Sequence, residues 1–374
     1  MKLERRLEQP WWLQVLVPVG SLGAAFVIMA VVLVATGHDP GHTYREIVRS
    51  GFTGHGAFSA TLISAAPILF TGLAAAAAFR MQLFNIGAEG QLYLGAVGGS
   101  WIALRLGDHG FESPLLYVAA MCVAAAALGA LWALIPGVLR AFAHTNEIIT
   151  SLMLNYVAAY LITYLIFDSA SYWRDVSTLQ ARAFPQGKPM PEGAEWSTFG
   201  SSIVVPLGFV LGLAVAVGIW ALYARTRFGF EVSVVADSQR AARSAGIRTR
   251  RKILAVMAIS GALAGIGGAS QIGDFTHTLD PIGLQGAAFG YTGIVVAALA
   301  RYNALAVGLV AVLLGGLQNA GFTLQGVDFP QGLVGVMQGV ILFCALGGEV
   351  LIRYRLRVTR FSRAATAPVP EGSV

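Results

Sequence analysis

Long stretches without a charged side chain dominate this sequence of 374 residues. Eight of them are at least 20 residues long, namely 11–36, 52–79, 113–139, 197–224, 253–273, 281–300, 302–327 and 329–348. A helix needs about 20 apolar residues to cross the hydrocarbon core of a bilayer, so each stretch predicts a transmembrane helix. Two further stretches, 82–104 and 146–167, hold a single acid near one end. The sequence therefore predicts an all-α, polytopic membrane protein with about ten transmembrane helices.

The distribution of basic residues predicts the orientation of these helices. With the amino end inside, 19 of the 25 Lys and Arg residues fall on the inner side and only 6 on the outer side. Cytoplasmic loops of membrane proteins carry such an excess of Lys and Arg. We therefore expect a cytoplasmic N-terminus at 1–10, one membrane domain at 11–348 and a cytoplasmic basic tail at 349–374. The net charge of +6 reflects this topology and does not indicate nucleic-acid binding.

Two of the predicted connections are long. The external loop 168–196 is rich in Pro, Gly and aromatic residues, whereas the cytoplasmic loop 225–252 holds eight basic residues. Within the cytoplasmic loop, Ser238 is a suitable N-cap and Gly246 a suitable C′ residue for a helix of about two turns. A helix this short is marginal by itself, so it requires a partner surface.

Six predicted helices precede the cytoplasmic loop and four follow it. The four at 57–167 form one group and the four at 253–348 a second, while the first and sixth helices stand outside both groups. Because the first group enters the membrane from outside and the second from inside, the two groups predict an inverted repeat. Inverted repeats are common among transporters.

Polar side chains inside the predicted helices mark candidate substrate-pathway positions. Residues 84–91 (FNIGAEGQ) place a carboxylate and two amides among glycines, which permits either a continuous or a re-entrant, broken helix. Glu89 either faces the pathway or braces a helix near the inner headgroups, and the sequence leaves both open. Glu147, Ser151 and Asn155 share one helical face, which must point into the bundle. The full candidate set is Phe84, Asn85, Glu89, Gln91, Glu147, Ser151, Asn155, Tyr291, Thr292 and Asn319. Further polar groups within the apolar spans are uncharged, namely Gln271, Tyr291, Thr292, Gln318, Asn319 and Gln338, which favours a neutral solute over an ion.

The sequence also lacks the motifs of several enzyme classes. It has no Gly-x-x-x-x-Gly-Lys-Ser/Thr phosphate loop, so the chain should not hydrolyse ATP by itself. Its two cysteines, Cys122 and Cys344, have no metal-ligand or redox spacing. We expect a transport protein that is not an enzyme and holds neither a metal nor a cofactor.

Three motifs carry a resemblance to a known family. Residues 84–91, 146–156 (NEIITSLMLNY) and 291–297 (YTGIVVA) resemble the permease subunits of bacterial ATP-binding-cassette (ABC) importers for simple sugars and nucleosides. The first motif is similar to that of the nucleoside branch, whose solute receptors are basic membrane lipoproteins. The resemblance extends over roughly 58–348.

A fourth segment, 236–247 (ADSQRAARSAGI), resembles the coupling helix of this family, which docks on the ATPase. It departs from the family pattern at Ala236, Ser238 and Gln239, where Gly, Asn and Pro are usual. The candidate ATPase-coupling residues are Ser238, Arg240, Ala241, Ala242, Arg243, Ala245, Gly246 and Ile247.

The resemblance implies a permease of the bacterial cytoplasmic membrane that imports a nucleoside or a related purine-like or sugar-like solute. It implies four kinds of partner: an ATPase that hydrolyses ATP, a second permease in a heterodimer, membrane lipid, and an external solute-binding lipoprotein facing loop 168–196. Two other interpretations stay open at this point. An ion-coupled secondary transporter of a small neutral solute would use Glu89 and Glu147 as cation sites. A scaffold or receptor would leave the buried polar groups unexplained.

Overall fold

The computed structural model describes residues 2–5, 11–324 and 332–357. In this part of the chain the helices, in order, are α1 (Trp11–Ala35), α2 (Pro40–Val48), α3 (Ala57–Phe79), α4 (Ala88–Asp108), α5 (Pro114–Ala143), α6 (Glu147–Thr163), α7 (Leu179–Ala183), α8 (Leu207–Arg225), α9 (Arg227–Asp237), α10 (Gln239–Ser244), α11 (Thr249–Gln271), α12 (Pro281–Ala287), α13 (Phe289–Leu299), α14 (Ala304–Thr323) and α15 (Leu333–Arg353). Single π-helical turns lie at Arg49–Thr53, Tyr164–Asp168 and Ile272–Thr276. The prediction of an all-α membrane protein is confirmed.

Among the described residues, seven helical segments are long and apolar enough to cross a membrane, namely Ala57–Phe79, Pro114–Ala143, Glu147–Asp168, Leu207–Arg225, Thr249–Thr276, Pro281–Leu299 and Ala304–Thr323. Shorter apolar helices lie at Val19–Ala35, within α1, and at Leu333–Ala345, within α15. The remaining predicted span, 82–104, overlaps α4, which begins at Ala88 and continues to Asp108, and whose 21 residues give a length of about 30 Å. All ten predicted segments thus correspond to helices.

The two ends of the described chain lie together. Strand β1 (Lys2–Arg5) pairs antiparallel with the strand Tyr354–Arg357, which follows α15 directly. Helices α1 and α15 also pack against each other. Helix α15 continues to Arg353, beyond the predicted end of the last span at 348, while residues 329–331 and most of the predicted tail lie outside the described residues. The shared location of the ends fits an even number of crossings.

The core of the bundle is built on two central helices. Helix α11 packs against α3, α4 and α5, and α3 in turn packs against α8, α13 and α14. In α3, 89% of the most apolar stretch is buried, against 22% in α5 and in the segment Glu147–Asp168. Helices α5 and α6 therefore present most of their apolar surface outward, to lipid or to another subunit.

Glycines bring α4, α5 and α11 into backbone contact. A Cβ atom added at Gly265 in α11 would overlap the carbonyl oxygen of Ala125 in α5. One added at Gly95 in α4 would overlap the backbone of Gly265 itself. Small residues at helix interfaces allow such close approach in membranes, where dispersion contacts rather than the hydrophobic effect hold helices together.

The two groups predicted as an inverted repeat meet through α3 with α11 and through α4 with α13. In each group, the second spanning segment is interrupted. Irregular backbone at 82–87 precedes α4, and Ala288, at a φ of 51°, separates α12 from α13. The inverted repeat stays a prediction, and the two groups share a corresponding interruption.

Candidate functional site around Glu89

Glu89 joins the two interrupted segments. It lies in the first turn of α4 and is 2% exposed. Its Oε2 atom accepts hydrogen bonds from the backbone N–H groups of Gly290, at 2.6 Å, and Tyr291, at 3.2 Å. Its Oε1 atom accepts a hydrogen bond from the Tyr93 hydroxyl at 2.6 Å. The first N–H groups of a helix have no intrahelical partner, so this carboxylate caps α13 while also lying in the first turn of its own helix.

Two carbonyl groups beside the break between α12 and α13 accept hydrogen bonds from side chains of other helices. The hydroxyl of Thr71, in α3, donates to the Phe289 carbonyl at 2.9 Å. The Gln318 amide, in α14, donates to the Ala287 carbonyl at 3.0 Å. An unpaired backbone group at membrane depth costs several kcal/mol. These contacts explain how the chain tolerates a break here.

The irregular segment 82–87 is held by an amide pair at its centre. The Asn85 side chain is fully buried, and its Oδ1 atom accepts hydrogen bonds from the Gly87 backbone and from Gln91 Nε2, both at 3.0 Å. Its Nδ2 atom donates to Gln91 Oε1 at 3.0 Å and to Ser260 Oγ at 2.9 Å. Ser260 donates in turn to the Ala74 carbonyl at 2.8 Å. The turn is thereby fixed to both central helices.

Helix α6 supplies the second wall of this arrangement. Ser151 Oγ accepts a hydrogen bond from the Ile86 N–H at 3.2 Å, and Asn155 Oδ1 accepts one from the Gly90 N–H at 2.9 Å. The Asn155 amide also donates to the Ile86 carbonyl at 2.9 Å and to the Tyr291 hydroxyl at 3.3 Å. Both side chains point into the bundle, as their spacing along the helix predicts.

Seven of the ten candidate positions are brought together. We call Asn85, Glu89, Gln91, Ser151, Asn155, Tyr291 and Thr292 the Glu89 cluster. Thr292 extends it, because its hydroxyl donates to Gln338 Oε1 at 3.1 Å, and Gln338 Nε2 donates to Gln318 Oε1 at 2.9 Å. Glu147 and Asn319 lie apart from it. Glu147 Oε2 is 3.2 Å from Arg140 Nε, and Asn319 donates to the Ser50 carbonyl at 3.0 Å.

Most side chains of the Glu89 cluster are buried, but two aromatic rings among the candidate residues are exposed. Phe84 is 42% exposed and Tyr291 is 38% exposed on the surface of this subunit. The buried members bond to one another and to the backbone, so they hold the interrupted helices in place. The assignment of a substrate pathway stays a prediction, and within this set Phe84 and Tyr291 are the side chains in a position to contact a solute.

Sequence reasoning missed two side chains that complete the site. Tyr93 lies four residues after Glu89, so its place on the same helical face was available from the spacing. Ser260 gave no such signal, because its partner Asn85 lies 175 residues away in sequence. The described residues contain no group of three His, Cys, Asp or Glu side chains that could hold a metal ion.

Comparison with known proteins identifies the family. Residues 57–346 match the family described as "Branched-chain amino acid transport system / permease component". The chain belongs to this family of transport permeases. It is 33% identical to the glucose ABC transporter permease protein TsgB13 of Haloferax volcanii, covering 98% of this chain and 96% of that protein.

Two further relatives are also ABC transporter permeases. The guanosine ABC transporter permease protein NupP of Bacillus subtilis is 31% identical, covering 81% of this chain and 84% of its own length. The nucleoside ABC transporter permease protein NupB of Lactococcus lactis is 28% identical, covering 96% and 98%. This permease is therefore a subunit of an ABC transporter, as its motifs predict.

The segment resembling a coupling helix forms the short helix α10 of this permease. Ser238 caps it by accepting a hydrogen bond from the Ala241 N–H at 3.2 Å, and Gly246 follows its end at a φ of 77°. Ala242 is buried against the chain itself. Ile247 is partly buried, and the remaining candidates are exposed, namely Arg240, Ala241, Arg243, Ala245 and Gly246. The helix thus offers one free face.

An ion cluster fixes the orientation of the helices that flank α10. Glu231, in α9, lies 2.5 Å from Lys252 Nζ, in α11, and 3.0 Å from Arg227 Nε. These two cations lower the pKa of Glu231 below its ordinary value. Tyr223, at the end of α8, donates to the Ala77 carbonyl at 3.0 Å and so ties this region to α3.

The loop 168–196, which the sequence predicts to be external, is ordered on the end of α4. The Tyr172 hydroxyl donates to Asp108 Oδ2 at 2.5 Å, and its ring lies 4.7 Å from the Arg105 guanidinium and 4.4 Å from Lys188 Nζ. Burial and the neighbouring Asp108 raise the pKa of Tyr172 to about 12. Trp173 Nε1 donates to Ser100 Oγ at 3.1 Å. The loop 168–196 is therefore an ordered surface that these contacts hold against α4.

Proposed function

We propose that this permease forms the translocation path of an ABC importer for nucleosides. The observation that carries the proposal is the similarity to guanosine and nucleoside permeases over 81% and 96% of the chain. It agrees with the nucleoside-branch motif at 84–91, which is also the segment that the Glu89 cluster holds. The alternative of an ion-coupled secondary transporter is set aside, because the chain belongs to an ABC permease family.

The chemistry of the exposed residues supports a neutral solute with a flat or weakly polar face. Tyr291 belongs to the Glu89 cluster and Phe84 directly precedes its member Asn85, and both rings are exposed. Aromatic rings stack on nucleobases whatever the base. The Glu89 carboxylate is already bound by two backbone N–H groups and one hydroxyl. It therefore offers little to a small cation, which would need several free oxygen ligands.

A sugar is the second candidate substrate, because the relative with 33% identity is a glucose permease. Glucose and the ribose of a nucleoside share hydroxyl groups, and both can pack against an aromatic ring. The two candidates differ in the nucleobase. A solute site that requires stacking should discriminate strongly against glucose.

We further propose how the permease meets its partners. The exposed face of α10 docks on a separate ATPase, and the ordered loop 168–196 faces an external solute-binding lipoprotein. The translocation path lies between this chain and a second permease, with both termini in the cytoplasm of a bacterial cell. Support comes from the basic asymmetry of the loops, from the exposure of Ala241 and Ala245, and from the outward apolar surfaces of α5 and α6.

The substrate is tested by competition in cells that express the complete transporter. Uptake of radiolabelled guanosine is measured with a hundredfold excess of unlabelled adenosine, uridine or glucose. We expect the nucleosides to suppress uptake and glucose to have no effect. Uptake of labelled glucose that nucleosides fail to suppress would contradict the proposal and favour the sugar. Substitution of Tyr291 by Ala should weaken guanosine uptake more than Tyr291→Phe, since Phe retains the ring.

A further inference from the structure

A cavity of about 660 Å³ opens at the cytoplasmic ends of α5 and α11, beside α10. Its walls come mainly from the two membrane helices, with Arg140 and Phe142 from the end of α5, and Arg248 and Arg251 from the start of α11. Arg243 of α10 closes one side. No acidic side chain lines the cavity, so its charge is strongly positive.

The guanidinium groups of several of these arginines have no partner among the described residues. Arg140 is engaged, because it pairs with Glu147 and its guanidinium also donates to the Thr145 carbonyl at 3.3 Å. The Arg250 guanidinium lies 5.1 Å from the centre of the Phe142 ring. In the described part of the chain, the guanidinium groups of Arg243, Arg248 and Arg251 make no hydrogen bond or ion pair. A cavity lined by unpaired guanidinium groups is suited to an anion. The planar guanidinium can donate two parallel hydrogen bonds to one phosphate, so a phosphate group is the best fit.

An apolar stripe leads away from the cavity along α5. Leu131, Ile135, Val138 and Phe142 are all exposed and follow one another at intervals of four, three and four residues. That spacing places them on one face of the helix, below the cavity on the membrane side. From Leu131 to Phe142 the stripe covers eleven helical steps, about 16 Å, which is roughly one leaflet of a hydrocarbon core. The cavity and stripe together match a charged headgroup with an acyl chain attached.

We propose that this cavity binds the phosphate headgroup of an anionic phospholipid from the cytoplasmic leaflet, with an acyl chain along the stripe. Basic pockets between transmembrane helices on the cytoplasmic side suit such lipids. The headgroup would join the end of α5 to the start of α11, directly beside α10. The lipid would thereby hold the two ends together and fix the base from which α10 projects. This proposal is independent of the transported substrate.

The test titrates the purified full-length permease with phosphatidylglycerol and, separately, with phosphatidylcholine of the same acyl chains, and counts bound lipids by native mass spectrometry. We expect phosphatidylglycerol to bind at least tenfold more tightly. Each arginine near a membrane surface contributes about a fivefold effect, so Arg248→Gln with Arg251→Gln should weaken phosphatidylglycerol binding roughly thirtyfold. The charge-conserving pair Arg248→Lys with Arg251→Lys should bind more tightly than the Gln pair but less tightly than the parent, because Lys keeps the charge and loses the bidentate contact.

Two controls separate the lipid from other sources of anionic groups. Arg45→Gln with Arg49→Gln removes the same charge from the opposite face and should change binding less than twofold. Inorganic phosphate at 10 mM should displace little lipid, because it lacks the acyl chain; complete displacement would show a site for free phosphate and overturn the proposal. Equal affinity for the two lipids would also overturn it. So would a Gln pair that retains phosphatidylglycerol binding but loses the ATPase, since the arginines would then be a protein contact.

Discussion

The Oε2 atom of Glu89 lies 2.6 Å from the backbone nitrogen of Gly290, a residue 201 positions further along the chain. This hydrogen bond joins the first helical group to the second at the point where each is interrupted. It gives Glu89 a structural task that the sequence left undecided, because the carboxylate replaces the hydrogen-bond partners that the break in α12–α13 removes. The carboxyl oxygens of Glu89 thereby satisfy two backbone N–H groups and one hydroxyl in the interior of the bundle.

Removal of the Glu89 carboxylate should destabilise the permease. Glu89→Ala leaves two backbone N–H groups and the Tyr93 hydroxyl without their acceptor, at an expected cost of about 2–4 kcal/mol. Glu89→Gln keeps an acceptor oxygen of the same shape and should cost less. Thermal unfolding of the purified protein in detergent measures both variants. Tyr93→Phe, which removes one of the three donors, should fall between Glu89→Gln and the unchanged protein. A Glu89→Ala variant as stable as the parent but inactive in transport would show a pathway role instead.

The glycine contacts between α4, α5 and α11 should tolerate no added methyl group at their tightest point. Gly265→Ala places a Cβ atom against the Ala125 carbonyl, so the helices must separate, and we expect a loss of about 1–3 kcal/mol. The matched control is Gly218→Ala in α8, where no atom lies within 4 Å of the added Cβ. That change should be neutral or slightly stabilising, because Ala favours helix over Gly. Equal unfolding temperatures for the two variants would refute the packing account.

The ion pairs of Glu231 should make the loop 225–252 sensitive to acid. The pKa of Glu231 is lowered by Lys252 and Arg227. A carboxylate with a lowered folded-state pKa stabilises the fold above its ordinary pKa, and that contribution is lost as the pH falls through the lowered value. Limited proteolysis of loop 225–252 should therefore show protection at neutral pH that declines in acid.

A matched pair of variants isolates this effect. Glu231→Gln should increase cleavage at neutral pH and remove the acid-dependent step. The exposed Asp237, at the end of α9, is the control, and Asp237→Asn should leave the pH profile as it is. An acid-dependent step of the same size in Glu231→Gln would assign the titration to another group.

The free face of α10 should be needed for the ATPase. Ala245 is exposed, so Ala245→Arg adds bulk and charge to the proposed contact without disturbing the chain itself. We expect loss of co-purification with the ATPase while insertion and unfolding temperature stay unchanged. Ala224→Arg makes the same substitution at the exposed end of α8, outside α10, and should retain the ATPase. Ala242 is less suitable, because its burial means that a charge there would disrupt α10. Normal association in Ala245→Arg would exclude the proposed docking face.

Local patterns predicted much of this fold. The charge-free runs gave the spanning helices, and the four-residue spacing of Ser151 and Asn155 correctly predicted that they face inward. Ser238 and Gly246 bound α10 as expected, since capping depends on residues within one turn. The same reasoning predicted that Glu89 is a functional candidate, without deciding whether it faces the pathway or braces a helix.

The non-local contacts were beyond such reasoning. The helix break at Ala288 has no local signal, because alanine is a strong helix former and the left-handed conformation is imposed by partners on α3, α4 and α14. For the same reason Asn319, grouped with Glu89 from its polarity alone, instead binds the Ser50 carbonyl at another part of the bundle. Polarity within a spanning helix indicates that a partner exists, and the fold decides which one.

The most direct test of the account is guanosine uptake into proteoliposomes that contain this permease with its second permease and ATPase, supplied with the solute-binding lipoprotein. ATP is provided on the ATPase side, and radiolabelled guanosine on the other. We predict uptake that requires ATP hydrolysis, is abolished by Ala245→Arg and is unaffected by ionophores that collapse proton and sodium gradients. Uptake that proceeds without ATP and stops when those gradients are collapsed would contradict the account.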